Sequence, residues 1–137
     1  GLKDGTIDVI ATDHAPHNIE EKNIEFNQAS FGLIGLETAL GLVLTKLVET
    51  KVLTLSQAIE KLTTKPAQIF NLPKGTLSVG ASADVVVVDP QVSWTVNPSQ
   101  FYSRSRNTPF AGWQLKGRVL FTIVNGKLVV KDGRIVV

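Results

Sequence analysis

The sequence contains no cysteine and no methionine among its 137 residues. Without cysteine the chain can form neither a disulfide nor a zinc site with thiolate ligands, so any metal must be held by histidine, aspartate or glutamate. Histidine is itself scarce, with two in the whole chain. Because methionine is absent and the first residue is Gly1, we expect either a piece of a longer polypeptide or a product from which a tag was removed.

Long hydrophobic runs and a strong charge of either sign are also missing. The most apolar stretch, residues 33–48, is interrupted by four polar residues, including Glu37 and Lys46, so it is not a membrane span. The formal net charge is +2, and no dense basic stripe supports binding to nucleic acid. No signal peptide opens the sequence, and we therefore expect a cytoplasmic protein.

Hydrophobic residues make up 43% of the sequence, which is too many for a disordered chain and enough for a globular core. In the first half, residues 6–12 are mostly apolar and β-branched, which predicts a buried strand. The apolar residues of segment 18–32 follow neither helical nor strand spacing, which predicts a long loop. Helical spacing follows over residues 33–48. A capping box at Thr54 predicts a second helix, and Pro66 fits the first turn of a third.

The second half of the sequence predicts β-structure. Residues 84–90 include four consecutive valines and predict a strand that is buried on both faces, and residues 92–96 and 117–124 predict two more strands. Asn125-Gly126 is a strong hairpin signal and leads into a further strand over residues 127–131. The sequence thus predicts an α/β chain with its helices first and its strands last.

Both histidines lie within four residues of an aspartate, in the sequence Asp13-His14-Ala15-Pro16-His17 at the end of the first predicted strand. Proteins of the α/β class place their sites at the carboxyl ends of strands, because the loops there converge over a rigid sheet. A carboxylate at such a point can bind a divalent metal or transfer protons, and a neutral imidazole can bind a metal or an anion. A plainer alternative stays open, in which Asp13 caps a turn and both histidines are ordinary loop residues.

Four motifs in order resemble the dihydroorotases of the amidohydrolase superfamily. Residues 11–17 (ATDHAPH) are similar to the last barrel-strand motif of that family, and residues 31–38 (FGLIGLET) to its following loop and helix start. Residues 103–110 (SRSRNTPF) are similar to its S-x-S-x-N-T-P-F segment, and residues 117–126 to its closing strands. The related allantoinases and hydantoinases usually differ after the aspartate, so His17 favours dihydroorotase.

The resemblance implies an activity and a set of site residues. Dihydroorotases interconvert dihydroorotate and N-carbamoyl-L-aspartate in pyrimidine biosynthesis, with a hydroxide held by one or two zinc ions. Asp13 matches the catalytic aspartate that contacts the metal, accepts a proton from the attacking water and delivers it to the leaving nitrogen, while His14 is expected to orient its neighbour. His17 matches the histidine that hydrogen-bonds the substrate carboxylate. Phe31 and Gly32 match loop positions whose backbone contacts the pyrimidine ring, although Phe31 could instead be a packing residue.

The fold that the resemblance implies is α/β, namely the C-terminal fragment of a metal-dependent hydrolase (β/α)8 TIM barrel with a small flanking β-sandwich. Residues 1–74 would hold the last strand, the active-site loop and helices of the barrel, and residues 75–137 the composite β-sandwich domain. A complete member also needs an H-x-H pair, a carbamylated lysine and further ligands, and a barrel takes roughly 200 residues or more. We therefore expect the isolated chain to be inactive, and to associate with the missing N-terminal portion or aggregate.

Alternative functions and partners also follow from the resemblance. The parent could be another cyclic amidase, such as a hydantoinase or allantoinase, or a non-catalytic dihydroorotase-like partner of aspartate transcarbamoylase. We expect the parent to be a homo-oligomer, with no nucleic acid and no membrane among its partners.

Several polar or aromatic residues outside the motif of residues 11–17 are interpreted as structural. Glu37, at a predicted helix start, is expected to stabilise the helix dipole rather than to act as an acid. Arg104, Arg106 and Asn107 could form an anion site, but their distance along the chain from the first motif favours a structural or interface role. The two tryptophans are expected in the core.

Overall fold

The computed structural model describes all 137 residues as an α/β chain with helices in its first half and an antiparallel sheet in its second. The helices are α1 (Ile19–Lys22), α2 (Ala39–Val43), a π-helix (Leu44–Val48) that continues α2, α3 (Leu55–Leu62) and α4 (Thr64–Ile69). The strands are β1 (Val85–Thr95), β2 (Gln114–Val124), β3 (Lys127–Lys131) and β4 (Arg134–Ile135), with a 3-10 helix (Pro98–Gln100) after β1. None of the helices has the length and apolar character that crossing a membrane requires. The α/β prediction is confirmed, whereas the barrel, the β-sandwich and the division after residue 74 stay predictions.

Helix α3 begins at the predicted capping box. The Thr54 hydroxyl accepts a hydrogen bond from the Gln57 amide at 3.2 Å, and the Gln57 side chain accepts one from the Thr54 amide at 2.8 Å. This reciprocal pair satisfies two amides that the first turn of a helix leaves free. One face of α3 then buries Ala58 against Val43 and Leu53, which form the small core of the helical half.

The helix predicted over residues 33–48 begins only at Ala39. The residues before Ala39 form backbone contacts with other segments. Leu33 forms a parallel bridge with His14, and the Ile34 amide donates to the Asn107 carbonyl at 3.1 Å. Leu33 and Ile34 are therefore held by backbone contacts with distant segments, and a turn over residues 36–38 leads into the helix.

The strand predicted over residues 6–12 is not part of any sheet. The segment is attached to α3 instead, because the Ile10 amide donates to the Lys61 carbonyl at 3.2 Å and the Lys61 ammonium donates to the Ile7 carbonyl. A strand needs a neighbouring strand to satisfy its backbone, and no other strand lies beside this segment. The predicted buried strand is therefore not observed in this chain, and its place in a barrel stays a prediction.

The sheet has the order β1-β2-β3-β4, and every neighbouring pair is antiparallel. Strand β1 joins the two strands predicted over residues 84–90 and 92–96, with an irregular register between Asp89 and Ser93. Pro90 lies at this irregularity and has no amide to donate to a neighbour. The Asn125-Gly126 hairpin is confirmed, and both residues have the positive φ that a tight two-residue turn requires.

Only one face of the sheet is covered, by α2 and the π-helix. Gly41 allows a close approach, because a Cβ there would lie 3.1 Å from side-chain atoms of both Leu115 and Trp94. On β1, by contrast, the side chains of Val86 and Val87 are exposed, so the prediction of burial on both faces is wrong for this chain. Trp113 is also exposed, contrary to its predicted core position.

Fourteen of the 137 residues are buried, and the accessible surface is 9453 Å². A compact monomer of this mass, 14.8 kDa, is expected to expose about 7,000 Å². The chain thus exposes about a third more surface than a self-contained domain of its size.

Candidate functional site

Asp13 lies at the turn that follows the segment attached to α3. Its φ is +44°, in the left-handed region that few non-glycine residues occupy, and its side chain is exposed. The following residues pair with the loop before α2, since the Ala15 amide donates to the Leu33 carbonyl at 2.9 Å. Four other non-glycine residues of the chain also have positive φ, among them Asn125 and Asp132 in turns, so this conformation sets the direction of the chain at Asp13 without marking a functional site by itself.

The imidazole of His14 has a structural partner. Its Nδ1 accepts hydrogen bonds from the amides of Gly35 at 3.1 Å and Leu36 at 3.4 Å. In the neutral ring, an accepting Nδ1 leaves the proton on Nε2. His14 therefore connects the turn to the loop before α2, and its predicted role in orienting Asp13 stays a prediction.

His17 is fixed through both its backbone and its ring. Its amide donates to the Ser105 hydroxyl at 3.2 Å, and that hydroxyl lies 2.7 Å from the His17 carbonyl, to which it can donate. The ring Nδ1 is 3.2 Å from a carboxylate oxygen of Glu21. When Nδ1 carries the proton and donates to this carboxylate, Nε2 is free to accept from another group, and a protonated ring donates from both nitrogens.

Gly32 lies against this turn in a conformation that favours glycine. Its φ is +113°, and a Cβ at this position would lie 2.5 Å from the Ala15 Cβ and 3.4 Å from His17 Nε2. The neighbouring Phe31 is 92% exposed, so it does not pack over the loop in this chain. The amides of Phe31 and Gly32 donate no hydrogen bond to any backbone carbonyl of the chain, so both are available to a ligand.

Asn107 joins the two loops of the site. Its side-chain amide donates to the Ala15 carbonyl at 3.0 Å and to the Gly32 carbonyl at 3.2 Å. The 103–110 segment is anchored from the other side as well, because the Glu37 carboxylate accepts from the amides of Tyr102 at 2.8 Å and Ser103 at 3.0 Å. Glu37 thus stabilises a distant loop, and its predicted effect on the dipole of α2, which begins two residues later, stays a prediction.

Sequence reasoning did not place the 103–110 segment at the site, although its motif was recognised. The separation of 88 to 92 residues between this segment and the turn suggested that the two were apart. The structure brings Arg104, Ser105, Arg106 and Asn107 to the edge of one cleft with His17. This cleft has a volume of about 730 Å³ and a polar lining with one hydrophobic residue. Its remaining lining residues are Pro16, Asn18, Ile19, Glu21 and Lys22.

The chain does not bring together the ligands of a metal ion. No three histidine, aspartate or glutamate side chains converge anywhere in it, and His14 Nδ1 is already occupied by two amides. A catalytic zinc ion normally has three protein ligands. The residues of this chain therefore do not form a zinc site by themselves, and Asp13 is the one predicted ligand among them.

Comparison with known proteins gives matches along nearly the whole chain. A model of the amidohydrolase family matches residues 1–129. A dihydroorotase from Pelotomaculum thermopropionicum is 56% identical over 132 residues, which are 96% of this chain and 31% of that protein. A dihydroorotase from Syntrophotalea carbinolica is 57% identical over 131 residues, with the same coverage. The chain thus spans about a third of the length of the curated relatives that it matches.

Solved structures of hydantoinases have a similar fold over the same length. An L-hydantoinase (dihydropyrimidinase) from Arthrobacter aurescens superposes with a TM-score of 0.92 at 35% identity, over 99% of this chain and 31% of that one. A D-hydantoinase (dihydropyrimidinase) from Thermus sp. gives a TM-score of 0.90 at 33% identity, over 98% of this chain and 31% of the other.

Proposed function

The chain belongs to the amidohydrolase family, and from this premise we propose that it is the C-terminal part of a zinc-dependent dihydroorotase. The reaction would interconvert dihydroorotate and N-carbamoyl-L-aspartate in pyrimidine biosynthesis. The observation that carries the proposal is the packing of Gly32 against the turn of residues 13–17, where a Cβ on Gly32 would lie 3.4 Å from His17 Nε2, in a chain 56% identical to a dihydroorotase. We also propose that residues 1–74 end a (β/α)8 barrel and that residues 75–137 belong to a flanking β-sandwich.

In this proposal Asp13 transfers the proton of the hydrolytic step. Its exposed carboxylate accepts a proton from the water that attacks the ring amide carbon, and it delivers that proton to the leaving ring nitrogen. A positioned base of this kind contributes about 10² to 10⁴ in rate. The exposure of Asp13 in the chain supports such a role, because an exposed carboxylate can be reached by water and by a ligand.

His17, Phe31 and Gly32 would bind the substrate. The imidazole of His17 would hydrogen-bond the substrate carboxylate, and the backbone of Phe31 and Gly32 would contact the pyrimidine ring. The lack of a side chain at Gly32 lets the ring approach the backbone closely. Both amides are without a backbone partner in the chain, which supports their assignment to the ligand.

On this proposal one or two zinc ions supply the nucleophilic hydroxide when bound, and their remaining ligands lie in an N-terminal portion of the parent polypeptide. Support comes from the short span of the chain, 31% of its relatives, and from its large exposed surface. The isolated chain is then inactive and associates with that portion or aggregates. A cytoplasmic location, a homo-oligomeric parent and association with aspartate transcarbamoylase stay predictions from the sequence.

A second candidate is a cyclic amidase of the hydantoinase type. The observation in its favour is the TM-score of 0.92 to the L-hydantoinase from Arthrobacter aurescens. The higher identity to dihydroorotases, 56% against 35%, favours the first candidate.

The experiment that tests the proposal compares substrates and variants in the full-length polypeptide that carries this chain. We expect turnover of dihydroorotate to exceed that of hydantoin and dihydrouracil, and Asp13→Asn to lower kcat by about 10² to 10⁴ because it removes the proton acceptor. Asp132→Asn, which changes an exposed carboxylate in the turn before β4, is the control and should leave kcat unchanged.

Other outcomes would contradict the proposal in distinct ways. Faster turnover of hydantoin would support the second candidate. No turnover of any of the three substrates, by a full-length polypeptide loaded with zinc, would support a non-catalytic partner of another enzyme.

A further inference from the structure

We propose that Lys22 is a positioning residue that holds the Phe31–Gly32 backbone in the conformation that binds the ring of a substrate. The inference rests on the proposed function, in which that backbone contacts the ring. It adds a side chain of α1 that sets the conformation of this backbone. Lys22 acts through the Gly32 carbonyl and not on the reacting atoms.

The Lys22 ammonium closes the loop of residues 18–32. Its Nζ donates to the Ser30 carbonyl at 2.6 Å and to the Gly32 carbonyl at 3.1 Å. Beside these contacts, the Ser30 amide donates to the Glu21 carbonyl at 3.2 Å. Three hydrogen bonds therefore join α1 to the end of the loop, and two of them come from the Lys22 side chain.

The Gly32 carbonyl is held from two sides. It accepts from Lys22 Nζ at 3.1 Å and from the Asn107 side-chain amide at 3.2 Å. A carbonyl oxygen has two lone pairs, so these two donors fill both of its acceptor positions. Glycine itself restricts φ less than any other residue, and Gly32 has a φ of +113°. Its conformation therefore depends on the groups that bind its carbonyl.

Lys22 is the charged donor of this pair, and it has no other polar partner within the chain. Its side chain is partly shielded from solvent and forms no ion pair. Hydrogen bonds from a charged donor are stronger than those between neutral groups, so the ammonium contributes more than the Asn107 amide to holding Gly32. The residue before it, Glu21, lies 3.2 Å from His17 Nδ1, so α1 contacts both sides of the proposed ring site.

The test measures steady-state hydrolysis by the full-length polypeptide that carries this chain. Lys22→Met removes the ammonium and keeps an unbranched side chain. We expect KM for dihydroorotate to rise about tenfold, as for the loss of one charge-assisted hydrogen bond, and kcat to stay within about twofold because Asp13 is unchanged. A purely structural role would lower the amount of folded enzyme and leave KM as it is. Lys22→Arg keeps the charge and should raise KM less than Lys22→Met does.

Two further variants complete the comparison. Lys127→Met removes an exposed cation that makes no side-chain hydrogen bond, and it should have the KM and kcat of the wild type. Lys22→Gln keeps a neutral amide donor, and its KM should also rise. It replaces Lys22→Met in the comparison if that variant does not fold.

The inference is overturned if loss of the Lys22 ammonium leaves KM unchanged, if it lowers kcat as much as it raises KM, or if Lys22→Arg raises KM as much as Lys22→Met. Failure of the proposed function gives a different result. A wild type that turns over hydantoin or dihydrouracil instead of dihydroorotate contradicts the dihydroorotase proposal, and the same comparison of KM and kcat then tests Lys22 with that ring. A wild type that turns over none of the three overturns both proposals.

Discussion

At the scale of single residues, the site depends on contacts that cross from one half of the chain to the other. Asp13 and Gly32 both have positive φ values, +44° and +113°, and the backbone around each is held by hydrogen bonds rather than by a local turn motif. The Asn107 side chain supplies two of these bonds and the Ser105 hydroxyl two more, so the geometry of the turn is set by a segment 88 to 92 residues away.

Replacing Asn107 by alanine should loosen this connection. The change leaves the carbonyls of Ala15 and Gly32 without their partner, and we expect the free energy of unfolding to fall by about 1 to 3 kcal/mol. Urea titration at low protein concentration measures the change. Asn27→Ala is the control, since Asn27 is exposed and its side chain makes no hydrogen bond. Equal stability of the two variants would mean that Asn107 does not hold the loops together.

The residues of the site could be predicted only where a motif contained them. Asp13, His17, Phe31 and Gly32 were assigned from the dihydroorotase resemblance, and their roles stay predictions. The hydrogen bonds from Asn107 to the Ala15 and Gly32 carbonyls were not predicted. The local sequence does not indicate which distant carbonyl a side chain will bind. The family itself was predicted from four motifs and is confirmed by the match over residues 1–129.

At the scale of elements, an ionic cluster stabilises the β1–β2 pair at the end where β1 begins and β2 ends. Asp84, just before β1, accepts a hydrogen bond from the Lys74 ammonium and another from the Asn125 amide at 2.7 Å. The Lys74 contact first, and the Asn125 amide second, lower the pKa of the Asp84 carboxyl from 3.8 to about 2. A carboxyl whose pKa is lower in the folded state stabilises that state above its unfolded pKa.

The stability of the sheet should therefore depend on Asp84 in acid. Its contribution is fully present above about pH 4 and is lost as the pH falls from there to about 2, where the folded carboxyl also becomes protonated. We expect Asp84→Asn to be less stable than the wild type at pH 7 and equally stable near pH 2, by urea denaturation followed with circular dichroism. Asp132→Asn, in the turn before β4, should match the wild type throughout. A constant difference between Asp84→Asn and wild type from pH 7 to pH 2 would disprove this dependence.

Elements were predictable from sequence where their signals are local. The Thr54 capping box and the Asn125-Gly126 hairpin carry their own partners within a few residues, and both are confirmed. Residues 6–12 form no strand in this chain, and the helix begins at Ala39 rather than at Leu33. In both segments the structure depends on residues distant in the sequence, which the spacing of apolar residues does not identify. For residues 6–12 the neighbour in this chain is α3.

At the scale of the whole molecule, the exposed surface is too large for a self-contained domain. The chain exposes 9453 Å², against about 7,000 Å² for a compact monomer of its mass. Large side chains such as Phe26, Leu77 and Val79 are among those exposed. An excess of this order is comparable to the area that a permanent interface buries, which supports the proposal that more polypeptide covers this surface.

The most direct measurement is the zinc content and dihydroorotate turnover of the purified chain, alone and after mixing with the N-terminal portion of its parent, with Asp13→Ala alongside. We predict no stoichiometric zinc and no turnover for the chain alone, because no three metal ligands converge in it. Mixing should restore both, and Asp13→Ala should abolish the turnover. If the chain alone hydrolyses dihydroorotate and Asp13→Ala abolishes that activity, the claim that its site is completed by the N-terminal portion is contradicted.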